Sequence, residues 1–332
     1  MKALQIESPN RAGVVELPEP TPHADQVLIR VMACGICGTD IHILRGEYIG
    51  NYPVIPGHEF SGIIEQVGDQ VKRLRPGLRV AVEPNISCDN CFYCLSNRQN
   101  FCENWQAIGV TLPGGMAWYV LAPEKAVFEI GELPFEYGAF MEPLSCVIHG
   151  IQRVNLNISD RVLILGAGPI GQLFIQMARL QGAAFIAVLE QRSSRINLAQ
   201  HFGAQQIVTD LNALPTDDFD VVIDATGNIP LMEKTVDFAR PGGKILLFGV
   251  PPAGEIMRME GIQIFRKGLT LMSTFTSVRN SLQAISLLKT GQVDVSALIS
   301  HQLPLEAFMK GIELIESGRD QVNKVIILPQ ES

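Results

Sequence analysis

The chain has 332 residues, 47% hydrophobic and 18% charged, enough for two domains of about 150 residues each and too apolar to be disordered. Its 26 basic and 34 acidic side chains give a formal charge of −8, a sign that repels phosphate backbones and anionic lipid and argues against nucleic-acid or membrane-surface partners. No apolar run reaches the roughly 18 residues of a spanning helix, and Glu7, Pro9 and Asn10 interrupt the opening stretch where a signal segment needs its apolar core, so a cytoplasmic location is expected.

Up to about residue 153 the chain carries short β-type runs broken by Gly and Pro: VLIRVMA (27–33), FSGIIEQVG (60–68), LRVAVEP (78–84) and AWYVLAP (117–123). Such spacing predicts an antiparallel, barrel-like β domain with long loops. The first of those loops, CGICGTDIH, holds Cys34 and Cys37. Cys34 ends an apolar strand and reads as core, whereas Cys37 opens a Gly-Thr loop. The next, PVIPGHEFSG, brings His58 and Glu59. Taken singly, a lone Cys is usually core and a His-Glu pair a solvated turn. Taken with Glu142 further on in FMEPLSC, they supply a thiolate, an imidazole and carboxylates, a mixed set that can hold zinc and leave one position open.

Between these, the polar loop SCDNCFYCLSNRQNFC carries Cys88, Cys91, Cys94 and Cys102 within 15 residues. A chain this long needs no staples, and a reducing compartment disfavours disulfides, so clustered thiols read as metal ligands. Four sulfurs close a tetrahedral zinc with no open position, which makes the site structural; an iron–sulfur cluster or an unmetallated thiol loop are the alternatives. Cys146 and His149 follow Glu142 at helical spacing and read as packing groups at a domain junction.

From about residue 154 to 290 the pattern changes. Continuous apolar runs (RVLILGAG, AFIAVLE, IVTD, FDVVIDAT, KILLFGV, LTLMSTF) alternate with helical segments (PIGQLFIQMARLQG, RINLAQHFGA, LMEKTVDFARPGG), as in a doubly wound parallel sheet buried on both faces. Gly166-Ala167-Gly168-Pro169-Ile170-Gly171 follows the first strand and opens the first helix. The first Gly permits the tight turn, the second lets backbone approach a pyrophosphate, and the third allows close packing, with the helix N-terminus supplying partial positive charge. Glu190 ends the next strand, 19 residues beyond Gly171, where a carboxylate accepts both ribose hydroxyls and repels a 2′-phosphate. NAD is therefore favoured over NADP, although Arg192 and Arg195 just beyond can pair with a phosphate if Glu190 turns away. Residues 291–332 return to a helical period in PLEAFMKGIELIESG and end in the strand KVIILP, which is expected to rejoin the first domain.

CGICGTDIH, GHEFSG, the four-cysteine lobe, MEPLSCVIHG and GAGPIG, in this order, resemble the zinc-dependent medium-chain dehydrogenase/reductase family, nearest its polyol (sorbitol-like) branch. The resemblance spans essentially the whole chain. It implies a GroES-like catalytic domain (1–153) with a structural zinc lobe (88–102), a Rossmann coenzyme domain (154–290), and an active-site cleft between the two. It implies two zinc ions per chain, Cys37 and His58 as catalytic-zinc ligands, and Glu59 or Glu142 as the third. It also makes Thr39 and His42 a proton-relay pair for hydride transfer between an alcohol and NAD. A small alcohol or ketone substrate and a homodimer or homotetramer follow by the same likeness. A threonine 3-dehydrogenase or sugar dehydrogenase is the rival enzyme reading, and a non-catalytic NAD-binding regulator the rival from another class. Tyr48, Phe60 and Phe275 are candidates for lining the substrate site, with core packing as the plain alternative for each.

Overall fold

The computed structural model describes residues 1–318 and 321–331; residues 319, 320 and 332 of the C-terminal segment lie outside them. The chain divides into two compact units, Met1–Ser145 with Val278–Ser332, and Cys146–Ser277.

The first unit begins with a hairpin of β1 (Lys2–Ser8) and β2 (Arg11–Glu16). Its spine is β3 (Gln26–Gly35), in which Val27, Leu28, Ile29, Val31, Ala33 and Cys34 are all fully buried. β-Branched and apolar side chains suit a strand enclosed on every side. Helix α1 (Gly38–Arg45) follows, then β4 (Glu59–Val67) and β5 (Arg79–Val82). The short strands β6 (Asn85–Ile86) and β7 (Gln106–Ala107) pair with each other and bracket a lobe containing α2 (Phe92–Leu95). β8 (Tyr119–Pro123), β9 (Val127–Glu129), α3 (Phe135–Gly138) and α4 (Met141–Val154) complete the run.

The second unit is built on β10 (Arg161–Leu165), β11 (Phe185–Leu189), β12 (Gln206–Val208), β13 (Phe219–Asp224), β14 (Ala239–Leu247) and β15 (Thr270–Ser273). Helices α5 (Pro169–Leu180), α6 (Ser193–Phe202), α7 (Ile229–Phe238) and α8 (Gly261–Lys267) lie between them. All the strand pairs are parallel, in the order β12-β11-β10-β13-β14-β15. This is the doubly wound arrangement expected from the alternating pattern, and the order reverses between β10 and β13, opening a crevice at their C-terminal ends. The apolar stretch preceding KILLFGV differs from expectation: α7 stops at Phe238 and β14 starts at Ala239, because Pro241 ends a helix and tolerates extended backbone.

After α9 (Ser281–Lys289), strands β16 (Ile299–Pro304) and β17 (Lys324–Leu328) flank α10 (Phe308–Glu316). β17 joins the sheet of the first unit by pairing antiparallel with β3, giving the order β16-β17-β3-β4-β5-β9 with β8 on the remaining stretch of β3. The C-terminal strand thus lies one strand away from β4, where His58 and Glu59 enter.

Candidate metal centres and cofactor cradle

The four cysteines of the lobe converge. Their sulfur atoms lie within 4.8 Å of one another, with Cys91 Sγ 3.5 Å and Cys88 Sγ 3.9 Å from Cys94 Sγ. A tetrahedral zinc with bonds of about 2.3 Å sets its sulfurs ~3.8 Å apart, so the spacing suits one ion, whereas an iron–sulfur cluster interposes its own atoms and spreads its ligands wider. Backbone N–H groups of Cys88 and Asn104 point at Cys102 Sγ at 3.2 and 3.3 Å, as donors to a thiolate do. The N–H of Asn90 and other donors pull the Cys88 thiol down to about 6, while burial pushes Cys94 up to about 12. A zinc ion among four such sulfurs would favour the thiolate form of each. The lobe is fixed at its base by the β6–β7 pair and by Lys125, which bonds Asp89 at 2.7 Å. All seven cysteines are free thiols.

The mixed set forms a second cluster. One donor atom each from Cys37, His58 and Glu59 lie within 4.8 Å of one another. Glu142 is buried in the first turn of α4 but is not among these three. It remains electrostatically close: Tyr48, whose phenol is raised mainly by burial, also senses His58, Cys37 and Glu142. Cys37 proves to be the N-cap of α1 and does not open a loop. The cause is Asp40, three residues on. Its carboxylate accepts the Cys37 N–H at 2.8 Å while its own N–H donates to the Cys37 carbonyl at 3.1 Å, a reciprocal cap. Fully buried, Asp40 also accepts the Gly57 N–H at 3.1 Å and stands 3.6 Å from His58 Nδ1, so one carboxylate ties both ligand-bearing segments together. His58 Nδ1 is buried without a hydrogen-bond partner. Burial works against charging this ring, but the neighbouring Cys37 and Asp40 outweigh it and hold His58 well above the usual histidine range. Excess negative charge around an orphaned ring nitrogen is the environment a divalent cation would relieve, and a thiolate, an imidazole and a carboxylate are donors that zinc accepts.

Lys324 of β17 completes the cluster. Its ammonium meets Glu59 Oε2, and the two side chains are only 6% and 2% exposed. Burial opposes its charge, but Glu59 and Cys37 keep the amine protonated. Thr39 and His42, three residues apart on α1, share a face of that helix and are both half-buried. His42 Nδ1 lies 2.9 Å from Glu47 Oε2; an ionised carboxylate only accepts, so in the neutral ring Nδ1 carries the proton and Nε2 is the acceptor. Phe60 belongs to the core of the first unit at 1% exposure, which removes it from the candidate lining, whereas Tyr48 and Phe275 are partly exposed.

In the second unit the turn after β10 sits at the switch point. Gly166 adopts φ +88°, and a Cβ on Gly171 would come 2.0 Å from the Gly166 carbonyl oxygen. Gly168 caps α5, with Pro169 and Ile170 partly exposed in its first turn. Glu190 is buried and its carboxylate is engaged by backbone: it accepts from Ala167 N at 3.0 Å, Gln191 N at 2.8 Å and Arg192 N at 3.0 Å. Arg195 Nη1 stands 3.9 Å from the same carboxylate, and Arg192 Nη1 is buried without a hydrogen-bond partner. Asp224, at the end of β13, accepts from the N–H groups of Thr226 and Gly227 at 3.1 and 3.0 Å and shapes the neighbouring loop. His149 donates from Nδ1 to the Thr276 carbonyl at 2.9 Å, and burial lowers it, as befits a packing group.

Asp40 and Lys324 are the site residues that the motif reading passed over. Asp40 had a signal, its position three residues after the Cys37 cap; Lys324 had only the oddity of a charge heading an otherwise apolar strand.

Two family models match the chain, one described as an alcohol dehydrogenase GroES-like domain over residues 23–132, the other as zinc-binding dehydrogenase over residues 169–290. Among curated relatives, D-altritol 5-dehydrogenase of Agrobacterium fabrum (strain C58) is 34% identical over 316 residues, covering 93% of this chain and 94% of the relative. D-arabinitol dehydrogenase 1 of Uromyces fabae is 30% identical over 341 residues, covering 99% and 97%. A solved structure from Sinorhizobium meliloti 1021, described as a zinc-binding dehydrogenase bound to NADP, superposes with a TM-score of 0.93 at 35% identity over 99% of both chains. With these matches along its length, and with the closed cysteine lobe, the mixed donor set and the glycine-rich turn all in place, the chain belongs to the zinc-dependent medium-chain dehydrogenase/reductase family.

Proposed function

We propose that the protein transfers a hydride between a secondary alcohol of the polyol or sugar-derived class and NAD, with NADP as the alternative dinucleotide. The observation that carries this reading is the mixed donor set of Cys37, His58 and Glu59, within 4.8 Å and distinct from the closed cysteine lobe. Relatives named for D-altritol and D-arabinitol support the substrate class, and the relative bound to NADP supports a nicotinamide cofactor.

When bound, zinc supplies Lewis-acid polarisation of the alcohol hydroxyl and the dinucleotide supplies the hydride acceptor. Cys37, His58 and Glu59 hold the metal while Asp40 orients the first two; Glu142 is the alternative third ligand. Thr39 Oγ1 is the hydroxyl suited to take the alcohol proton and hand it on, since it both donates and accepts. His42 Nε2 is its terminal acceptor toward solvent, with Glu47 fixing the tautomer. In the second unit the N-terminus of α5 and the Gly166–Gly171 turn receive the pyrophosphate, and Glu190 faces the adenosine ribose. A non-catalytic regulator would have no use for an open set of metal donors.

A self-associating chain is part of the same proposal. Ile262 and Phe265 on α8 are 53% and 81% exposed, and β15 is an edge strand of its sheet. Free thiols throughout support a reducing, cytoplasmic setting. Among the described residues no helix is long and apolar enough to cross a membrane.

The test is a panel of polyols, sugars, sugar phosphates and L-threonine, assayed for formation of reduced NAD or NADP by zinc-loaded protein. Turnover of one or more polyols is expected; turnover of L-threonine alone would establish the rival enzyme, and no turnover of any alcohol would sink the reading.

A further inference from the structure

Strands β4 and β17 are not neighbours. They flank β3, which separates them by about 10 Å, twice the ordinary interstrand spacing. Side chains from the two meet only by crossing β3, and they do so above Gly35, which pairs with Glu59 on one side and Ile326 on the other. A Cβ at Gly35 would fall 2.3 Å from Glu59 Oε2 and 2.7 Å from Lys324 Cε. The missing side chain is the gap through which the lysine reaches the carboxylate.

A buried ammonium needs an anionic partner, and Glu59 is the one that Lys324 contacts. Yet the same carboxylate is one of the three donors of the mixed cluster. Groups that support metal ligands ordinarily strengthen them, as when a carboxylate accepts the second proton of a ligating imidazole. A fixed ammonium does the opposite, because it withdraws electron density from the carboxylate and places a positive charge beside the dication. The ammonium makes its contact with Glu59, whereas its charge acts on Cys37 without an ion pair, and His58 faces the carboxylate of Asp40.

We propose that Lys324 is a positioning residue that competes with the metal ion for Glu59, making this carboxylate the weakest-held of the three ligands and the one able to yield its position. The proposal rests on the reading that Cys37, His58 and Glu59 hold zinc. It names a restraint on that site supplied by the C-terminal strand.

The experiment is zinc binding to metal-free, refolded full-length protein, titrated with zinc against a competing chelator, with the ion at the four-cysteine lobe as internal reference. Lys324→Met should bind zinc at the mixed site about ten-fold tighter or more, the scale on which groups behind a ligand act. Lys324→Arg, which keeps the charge, should restore wild-type affinity. In a Glu59→Gln background, Lys324→Met should gain no more than about three-fold, since the contact between the lysine and the site runs through that carboxylate. Lys324→Gln, which keeps length and a neutral donor, takes the place of Lys324→Met if that variant loses the lobe zinc and so its fold, with the same sign expected. Unchanged or weaker zinc binding in the neutral variants overturns the proposal while leaving the metal site standing. A wild-type protein that binds only the lobe zinc overturns the site and the proposal together.

Discussion

Gly171→Ala is a sharp test of the dinucleotide cradle. The new methyl carbon would lie 2.0 Å from the Gly166 carbonyl oxygen and 2.9 Å from its carbon, against the 3.0 Å that Cβ atoms respect, a shortfall of about 1 Å. Nothing flexible can absorb it. The obstructing atoms are backbone, Gly166 is locked at φ +88°, and its N–H bonds the Leu189 carbonyl at 2.9 Å. The first turn of α5 must therefore move away from β10, at a cost of about 1–3 kcal/mol in stability, typical of overpacking. That turn carries the partial positive charge and the amides offered to the pyrophosphate, and a misplacement of ~1 Å at such a contact costs about a hundred-fold, or ~2.8 kcal/mol of binding. Calorimetric titration with NADH should show that loss while metal analysis still returns two zinc ions. Gly261→Ala, where a Cβ meets nothing within 4 Å, serves as the control and should change neither quantity. Wild-type NADH affinity in Gly171→Ala would refute the assignment of this turn as the pyrophosphate site.

Cys94→Ser should lower the zinc content from two ions per chain to one and destabilise the fold, with the mixed site still loadable; visible iron–sulfur absorbance in the wild type would exclude the closed-zinc assignment. Cys37→Ala or His58→Ala should abolish turnover and leave NADH affinity, measured by titration, within about two-fold, because the proposed dinucleotide contacts, Gly166–Gly171 and Glu190, belong to the other unit. Glu59→Gln and Glu142→Gln, compared for metal content and rate, separate the candidate third ligands: loss of metal is expected for Glu59, and loss of rate with metal retained for Glu142. Glu190→Ala should weaken NAD use more than NADP use; a wild type that already prefers NADP would transfer control to Arg192 and Arg195.

What was legible in the sequence was local. Strands β10, β11 and β13 announced themselves as unbroken apolar runs because both faces are covered, and the glycine-rich turn was readable because its constraints act within six residues. The four-cysteine lobe needed only spacing. The Cys37 segment reads as a loop and folds as a helix for a reason that is also local: Gly38 and Thr39 are poor helix formers, and the Asp40 carboxylate on the Cys37 N–H caps the helix in spite of them. Phe60 shows the opposite limit, since nothing in HEFSG distinguishes a side chain lining a site from one sealed in the core.

Lys324 was beyond the reach of motif or period because its meaning is set by topology. In KVIILP it heads a strand of four buried apolar residues, and strand ends commonly carry a solvated charge. Only the insertion of β17 beside β3 turns that charge inward, and only the absence of a side chain at Gly35 gives it a partner. Three separated segments must therefore agree: a glycine in the first ligand motif, a glutamate in the second, and a lysine near the C-terminus. A change at the glutamate or the lysine leaves a buried charge unpaired, at about 3–5 kcal/mol on the usual scale for a broken buried pair, and a side chain at the glycine makes a clash in the sheet, at about 1–3 kcal/mol. Gly35→Ala should consequently behave like a site mutation, although Gly35 carries no ligand atom and touches the metal donors only through the space it leaves.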